Sequence, residues 1–220
     1  MRKILLTGTT GFIGKELCQS IIELQEFELC KIVRNKNANN GDSFIVGEFN
    51  SDTDFSPALE GVNVVMHLAA VAHSNYSSPL DAVKSYKSCN VDATLTLAKQ
   101  ASEQGVSRFI FLSSIGVNGV SNSAPFIYSD EPNPTEDYAI SKYEAEIGLK
   151  KIAEETGMEV VIIRPPLVYG KNAPGNFGTL LKVAEKNLPL PLGAINNQRS
   201  FVAIDNLVDL IIICIYHLNS

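Results

Sequence analysis

Three glycines spaced three apart, Gly8, Gly11 and Gly14, follow the apolar run Lys3–Thr7 and open the helical periodicity of Phe12–Leu24. A buried strand that ends in such a triplet predicts a tight βα turn. Its backbone can approach a pyrophosphate, and the helix N-terminus offers that group free N–H donors and a positive dipole. A P-loop is excluded by its own spacing, which needs four residues between glycines and then Lys-Ser/Thr. Here five residues separate Gly8 from Gly14, and Glu16 follows Lys15.

Further short apolar runs alternate with helical patterns. Phe27–Arg34, Ser43–Gly47, Val62–Leu68, Arg108–Leu112 and Glu159–Arg164 read as strands, the last ended by Pro165-Pro166. Leu80–Gln104 and Tyr138–Thr156 read as long helices, and Asn35–Asp42 and Asn118–Asp137 as polar loops. This alternation predicts an α/β fold with a doubly wound parallel sheet over residues 1–169. From Gly170 the texture becomes Gly- and Pro-rich around a helix at Phe177–Lys186, a strand at Ser200–Ile204 and a final helix, predicting a small partial lobe over 170–220.

In dinucleotide folds an acidic residue about 20 positions past the last glycine holds the adenosine ribose. That place falls on Arg34, with Lys36 close by. A guanidinium cannot accept from the 2′-hydroxyl but pairs with a 2′-phosphate, so NADP is expected ahead of NAD. An Arg34 that stacks over the adenine or faces water remains the alternative.

The bulk numbers exclude several classes. The 220 residues are 45% hydrophobic and 19% charged, with a net charge of −6, which argues against a nucleic-acid partner. Cys18, Cys30, Cys89 and Cys214 show no metal-type spacing and read as reduced thiols. His67 and His73 lack ligand partners at metal spacing, so no metal is expected. The apolar run Leu210–Tyr216 is too short to span a bilayer, and Met1-Arg2-Lys3 leads directly into a strand. A soluble, cytoplasmic protein is expected.

Tyr138 and Lys142 stand four apart at a helix start, on one face. A phenol of pKa about 10 is a poor base at neutral pH, and lowering it by about three units takes about 4 kcal/mol. A neighbouring ammonium and a positive nicotinamide ring would supply that. With Ser114 upstream, the pair reads as a proton-transfer device.

Taken together, the start Thr7-Gly8-Thr9-Thr10-Gly11-Phe12-Ile13-Gly14, His67-Leu68-Ala69-Ala70, Asn90–Thr94, Phe111–Ser114, Tyr138-x3-Lys142, Arg164–Gly170 and Arg199–Val202 resemble an extended short-chain dehydrogenase/reductase of the nucleotide-sugar epimerase/dehydratase family. The resemblance covers essentially the whole chain, and it implies a Rossmann sheet and catalytic residues Ser114, Tyr138 and Lys142. It further implies cofactor contacts from Gly8, Thr10, Gly11, Phe12, Ile13, Gly14, Arg34, Glu48, Phe49, Leu68, Ala69, Ala70, Tyr138, Lys142 and Pro165. Asn176 and Arg199 would join Ser114 in binding the substrate, as holders of its diphosphate. Ser113 competes with Ser114, whose spacing to Tyr138 and Gly119 matches the family's usual placement.

Family dehydratases carry Asp-Glu after the active-site hydroxyl, whereas Ile115-Gly116 stand here, so a 4,6-dehydratase is disfavoured. The resemblance then implies a UDP-4-keto-sugar reductase, favoured slightly by Arg34, or a UDP-sugar 4-epimerase. Leu167, where many epimerase relatives carry Asn, puts the usual sugar contacts of the latter in doubt. A non-catalytic NADP-binding sensor is a third possibility, opposed by the intact Ser114, Tyr138 and Lys142. Family members generally run longer, which implies a shortened chain whose substrate lobe is incomplete. Many pair as homodimers through helices corresponding to Leu80–Gln104 and Tyr138–Thr156.

Overall fold

Side-chain alternation along the strands decides which helices cover which face of the sheet. The computed structural model describes residues 1–34, 43–72, 77–186 and 198–217. Six strands, β1 (Arg2–Thr7), β2 (Phe27–Val33), β3 (Ser43–Ile45), β4 (Val64–His67), β5 (Arg108–Leu112) and β6 (Glu159–Ile163), form one sheet in the order β3-β2-β1-β4-β5-β6. All of its pairings are parallel. The strand order reverses between β1 and β4, and open α/β sheets bind ligands outside the carboxyl ends at that point.

Leu5, Val65, Phe109 and Phe111 face one side, against Leu97 and Ala101 of α4 (Ala93–Glu103) and Ala145 and Leu149 of α5 (Asp137–Thr156). Ile4, Leu6, Met66, Ile110 and Leu112 face the other, against Leu17 and Ile21 of α1 (Phe12–Leu24) and Leu207 and Ile211 of α7 (Ile204–Tyr216). Each such side chain contributes about 1.5–3 kcal/mol of burial, so both faces are held mainly by apolar packing. Arg108 and Arg2 secure α7 by donating to its last carbonyls, Cys214 O at 2.7 Å and Ile215 O at 3.1 Å from each arginine. Cations at a helix C-terminus satisfy open carbonyls and oppose the negative dipole end.

The structure departs from the sequence reading in four places. The expected single helix 80–104 is α3 (Pro79–Ser85), a π-helical segment at Tyr86–Asp92, and α4. The short helix α2 (Ser56–Leu59) lies in a stretch without a predicted element. A 3-10 turn, Ile115–Val117, follows β5. The strand β7 (Leu167–Tyr169) forms beyond the prolines and pairs in parallel with β8 (Phe201–Ala203). Helix α6 (Gly175–Glu185) lies between those two strands in sequence. Among the described residues no helix is long and apolar enough to cross a membrane.

Candidate active site

The glycine turn is built on close approach. Gly8 has φ +76°, and a Cβ there would stand 2.7 Å from Ala69 N and from the Leu68 carbonyl carbon. Any other residue would be both strained and obstructed. A Cβ on Gly14 would lie 2.1 Å from Gly8 O, so α1 can start against the turn only with glycine there. Helix α1 has no side-chain cap at Gly11 and no acidic residue in its first turn. Its first N–H groups and dipole are therefore available to an anion.

These features border a cleft of about 210 Å³ at the carboxyl ends of β1, β2 and β4. Gly8, Thr10, Gly11, Arg34, Phe49, Leu68, Ala69 and Ala70 line it, joined by Thr9, Ile32, Val33, Val71 and Cys89, which the sequence reading did not assign to the cofactor. The narrow glycine cradle and the open helix N-terminus fit the diphosphate of a dinucleotide. Phe12, Ile13 and Gly14 lie on α1 behind the lining. Glu48 is exposed, its backbone carbonyl accepting from Thr53 Oγ1 at 2.7 Å. Pro165 lies past β6, its carbonyl accepting from Ile115 N at 3.0 Å. A larger depression of about 380 Å³ sits at the opposite end of the sheet, between Gly105 and Glu159. The carboxyl-end rule for parallel sheets favours the smaller cleft.

Beside the cleft, Lys142 projects from α5 under β5. Its Nζ donates to Leu112 O at 2.9 Å and stands 4.5 Å from the Phe111 ring centroid and 6.0 Å from that of Tyr138. Burial pushes the amine down to about 7, while Cys89 and Glu146 pull it upward. Tyr138 is half-buried and packs edge-on against Tyr86, with centroids 6.1 Å apart. Burial first, then Tyr86, pushes its phenol up to about 12. The expected lowering of the phenol is thus not a property of these side chains alone, because desolvation prevails at this distance from the ammonium.

Ser114 follows β5 and caps the 3-10 turn, its Oγ accepting from Gly116 N at 3.1 Å. The Ser113 hydroxyl instead donates to Glu146 Oε1 at 2.5 Å, inside the core. Arg199 stands exposed just before β8. The Asn176 side chain, Lys36 and His73 lie outside what is described. Among the described residues no cluster could hold a metal ion.

Asn90 and His67, each from a motif that carried the family resemblance but neither assigned to the site, tie these parts together. Buried Asn90, in the π-helical segment, accepts from Val71 N at 2.8 Å and donates to Val71 O and Ser141 Oγ, each at 3.0 Å. Ser141 Oγ in turn donates to Tyr138 O at 2.7 Å. Thr94 Oγ1 donates to Asn90 O at 2.8 Å, so toward His67 Nε2, 2.9 Å away, it can only accept. That places the His67 proton on Nε2 and leaves Nδ1 to accept from Thr7 Oγ1 at 2.8 Å, while Thr7 accepts from Ala69 N at 3.1 Å. Burial, reinforced by the charge of Lys142, pushes the imidazole down to about 3. His67 is therefore a neutral connector.

Residues 4–220 match the model of the NAD dependent epimerase/dehydratase family. The chain belongs to that family. It is 44% identical to a UDP-glucose 4-epimerase of Vibrio cholerae, over 98% of this chain and 67% of that protein. It is 28% identical to the N-acetyl-alpha-D-glucosaminyl-diphospho-ditrans,octacis-undecaprenol 4-epimerase of Escherichia coli O157:H7, over 94% of this chain and 61% of that one. A UDP-glucuronic acid 4-epimerase of Bacillus cereus, solved with UDP-glucuronic acid and NAD, superposes with a TM-score of 0.82 at 25% identity. The match covers 99% of this chain and 74% of that structure. The family fold is therefore present, while the chain spans only about two thirds or less of these two sequence relatives.

Proposed function

We propose that this epimerase/dehydratase-family chain binds NAD in the cleft at the β1–β4 crossover and epimerises a UDP-sugar at C4. The supporting observation is the half-buried Tyr138 and the buried Lys142 on one stripe of α5 at the carboxyl end of β5, adjoining a dinucleotide-shaped cleft through Cys89. The relatives described above, 4-epimerases in name, point to the same chemistry.

The turn at Gly8–Gly14 would hold the diphosphate, Phe49 would flank the adenine, and Lys142 would reach the nicotinamide ribose. Bound there, NAD supplies hydride acceptance and return at the sugar carbon, and its positive ring favours the Tyr138 phenolate. Tyr138 takes the C4 hydroxyl proton as the carbon is oxidised and gives it back as the carbon is reduced. The Ser114 hydroxyl donates to the same oxygen and fixes its position. Lys142, held by Leu112 O, supplies a positive charge near the phenol in its protonated form. Ile115 and Gly116 carry no acid or base, so elimination of water has no proton carrier on this turn. Asn176 and Arg199 would meet the substrate's diphosphate.

The reductase reading stands second. Arg34 in the cleft lining keeps it open, because a guanidinium there suits a 2′-phosphate. Parallel titrations with NAD and NADP, combined with an assay of UDP-glucose and UDP-galactose interconversion, decide between the two. NAD retained through purification, with interconversion abolished in Tyr138→Phe, is the expected result. NADP preference lost in Arg34→Ala, with NADPH consumed on a UDP-4-keto-sugar and no interconversion, would establish the reductase. Failure to bind either nucleotide would overturn both.

A further inference from the structure

Glu146 lies one helical turn beyond Lys142, which lies one turn beyond Tyr138, so the three share the inward stripe of α5. It is fully buried at 0% exposure, yet nothing in its local sequence marks it. A buried carboxylate survives only when paired and fully hydrogen-bonded. Arg164, at the end of β6, meets it with Nε at 2.9 Å and Nη2 at 2.5 Å, and Ser113 Oγ donates at 2.5 Å. Arg164 Nη1 reaches on to Asn118 Oδ1 at 3.1 Å.

Those partners bracket the Ser114 turn. Ser113 precedes it and Asn118 follows it, with Asn118 N donating to Ile115 O at 2.9 Å. Gly116 within the turn abuts α5 at Ala139, where a Cβ would come 3.3 Å from the alanine methyl. Resting on the reading proposed above, we infer that Glu146 is a positioning residue for the reaction. Through Ser113, Arg164 and Asn118 it clamps both ends of the turn that carries Ser114, and it keeps an anion beside Lys142. The groups facing the Lys142 amine are Tyr138 and Glu146 from α5, Cys89 from the π-helical segment and His67 from β4. Glu146 is the carboxylate that opposes the loss of the Lys142 proton on burial.

The test uses the full chain with two variants. Glu146→Gln keeps the shape and removes the charge. Glu146→Gln combined with Arg164→Met leaves no unpaired charge in the core and serves if the single variant does not fold. Expected is a fall in kcat for UDP-glucose of about a hundredfold, the scale of a misplaced catalytic group, with KM and NAD affinity within about threefold. The Lys142 titration midpoint, followed by NMR of lysine-labelled protein against Lys142→Met, should drop by about half a pH unit or more. A kcat near that of the parent, or an unmoved midpoint, overturns the inference. So does a loss of turnover matched by equal loss of NAD binding and of thermal stability. If the parent binds NAD but turns over no UDP-sugar, the proposed function fails, and the midpoint alone then decides for or against Glu146.

Discussion

Lys142 lies between two buried polar clusters that solve the same problem by opposite means. On one side, His67 is neutral, with Thr7 and Thr94 satisfying its two nitrogens and Phe49 and Phe111 stacked on either hand. On the other, Glu146 and Arg164 keep full charges and hold them with a forked ion pair. The neutral chain demands little electrostatically but fixes a tautomer. The ionic pair is indifferent to proton position but depends on both partners remaining. The first cluster ties the end of β4 to the glycine turn, where a cofactor's shape must be matched. The second braces the turn after β5, where a hydroxyl must be aimed.

Breaking the ionic side should have the largest effect. Arg164→Met strands a buried carboxylate and should cost about 3–5 kcal/mol, read from urea unfolding; a cost near zero would mean that the pair is solvated. Ser113→Ala removes one hydrogen bond to the same carboxylate and should cost about 1.5–3 kcal/mol while leaving NAD binding intact. If Ser114→Ala proved equally destabilising and Ser113→Ala instead removed activity, the roles of the two serines would be reversed.

The neutral side should announce itself through pH. The His67 value falls from 6.5 in the unfolded chain to about 3 in the fold. Between those values only the unfolded state takes up the proton. Stability is therefore complete above about pH 6.5 and declines as pH falls toward 3. From pH 7 to pH 5 this amounts to about 2 kcal/mol. The decline should flatten in His67→Gln; an identical slope in that variant would assign it to other groups. On the same side, Thr94→Val removes two neutral hydrogen bonds, the one donated to Asn90 O and the one accepted from His67 Nε2, and should cost about 1–3 kcal/mol, with denaturant midpoints as the check.

The strands of the sheet were legible because their apolar runs are bounded by Gly, Pro and polar loops. The glycine turn was legible because all of its spacing is local. Tyr138 and Lys142 share one helix, so a period of four reveals them. Glu146 shares it too, but its meaning depends on Arg164 and Ser113, which reach it from β6 and β5. Asn90 gains its role only when the segment after β4 and helix α5 converge on it. Spacing to Tyr138 and Gly119 favours Ser114 over Ser113, but that the Ser113 hydroxyl faces the core carries no sign in two adjacent residues of one type. The strand β7 escaped notice because three residues after two prolines resemble a loop until β8 pairs with them.

The π-helical segment Tyr86–Asp92 has a consequence for how this region can change. Each residue in a helix turns the following side chains by about 100°. The wider coil at 86–92 resets that angle, so that Tyr86 meets Tyr138 while Leu97 and Ala101 still face the core. The segment is therefore a phase adjuster, in which count matters more than composition. A substitution at an outward position such as Lys87 leaves the phase intact, whereas removing one residue would rotate the Tyr86 ring away from Tyr138.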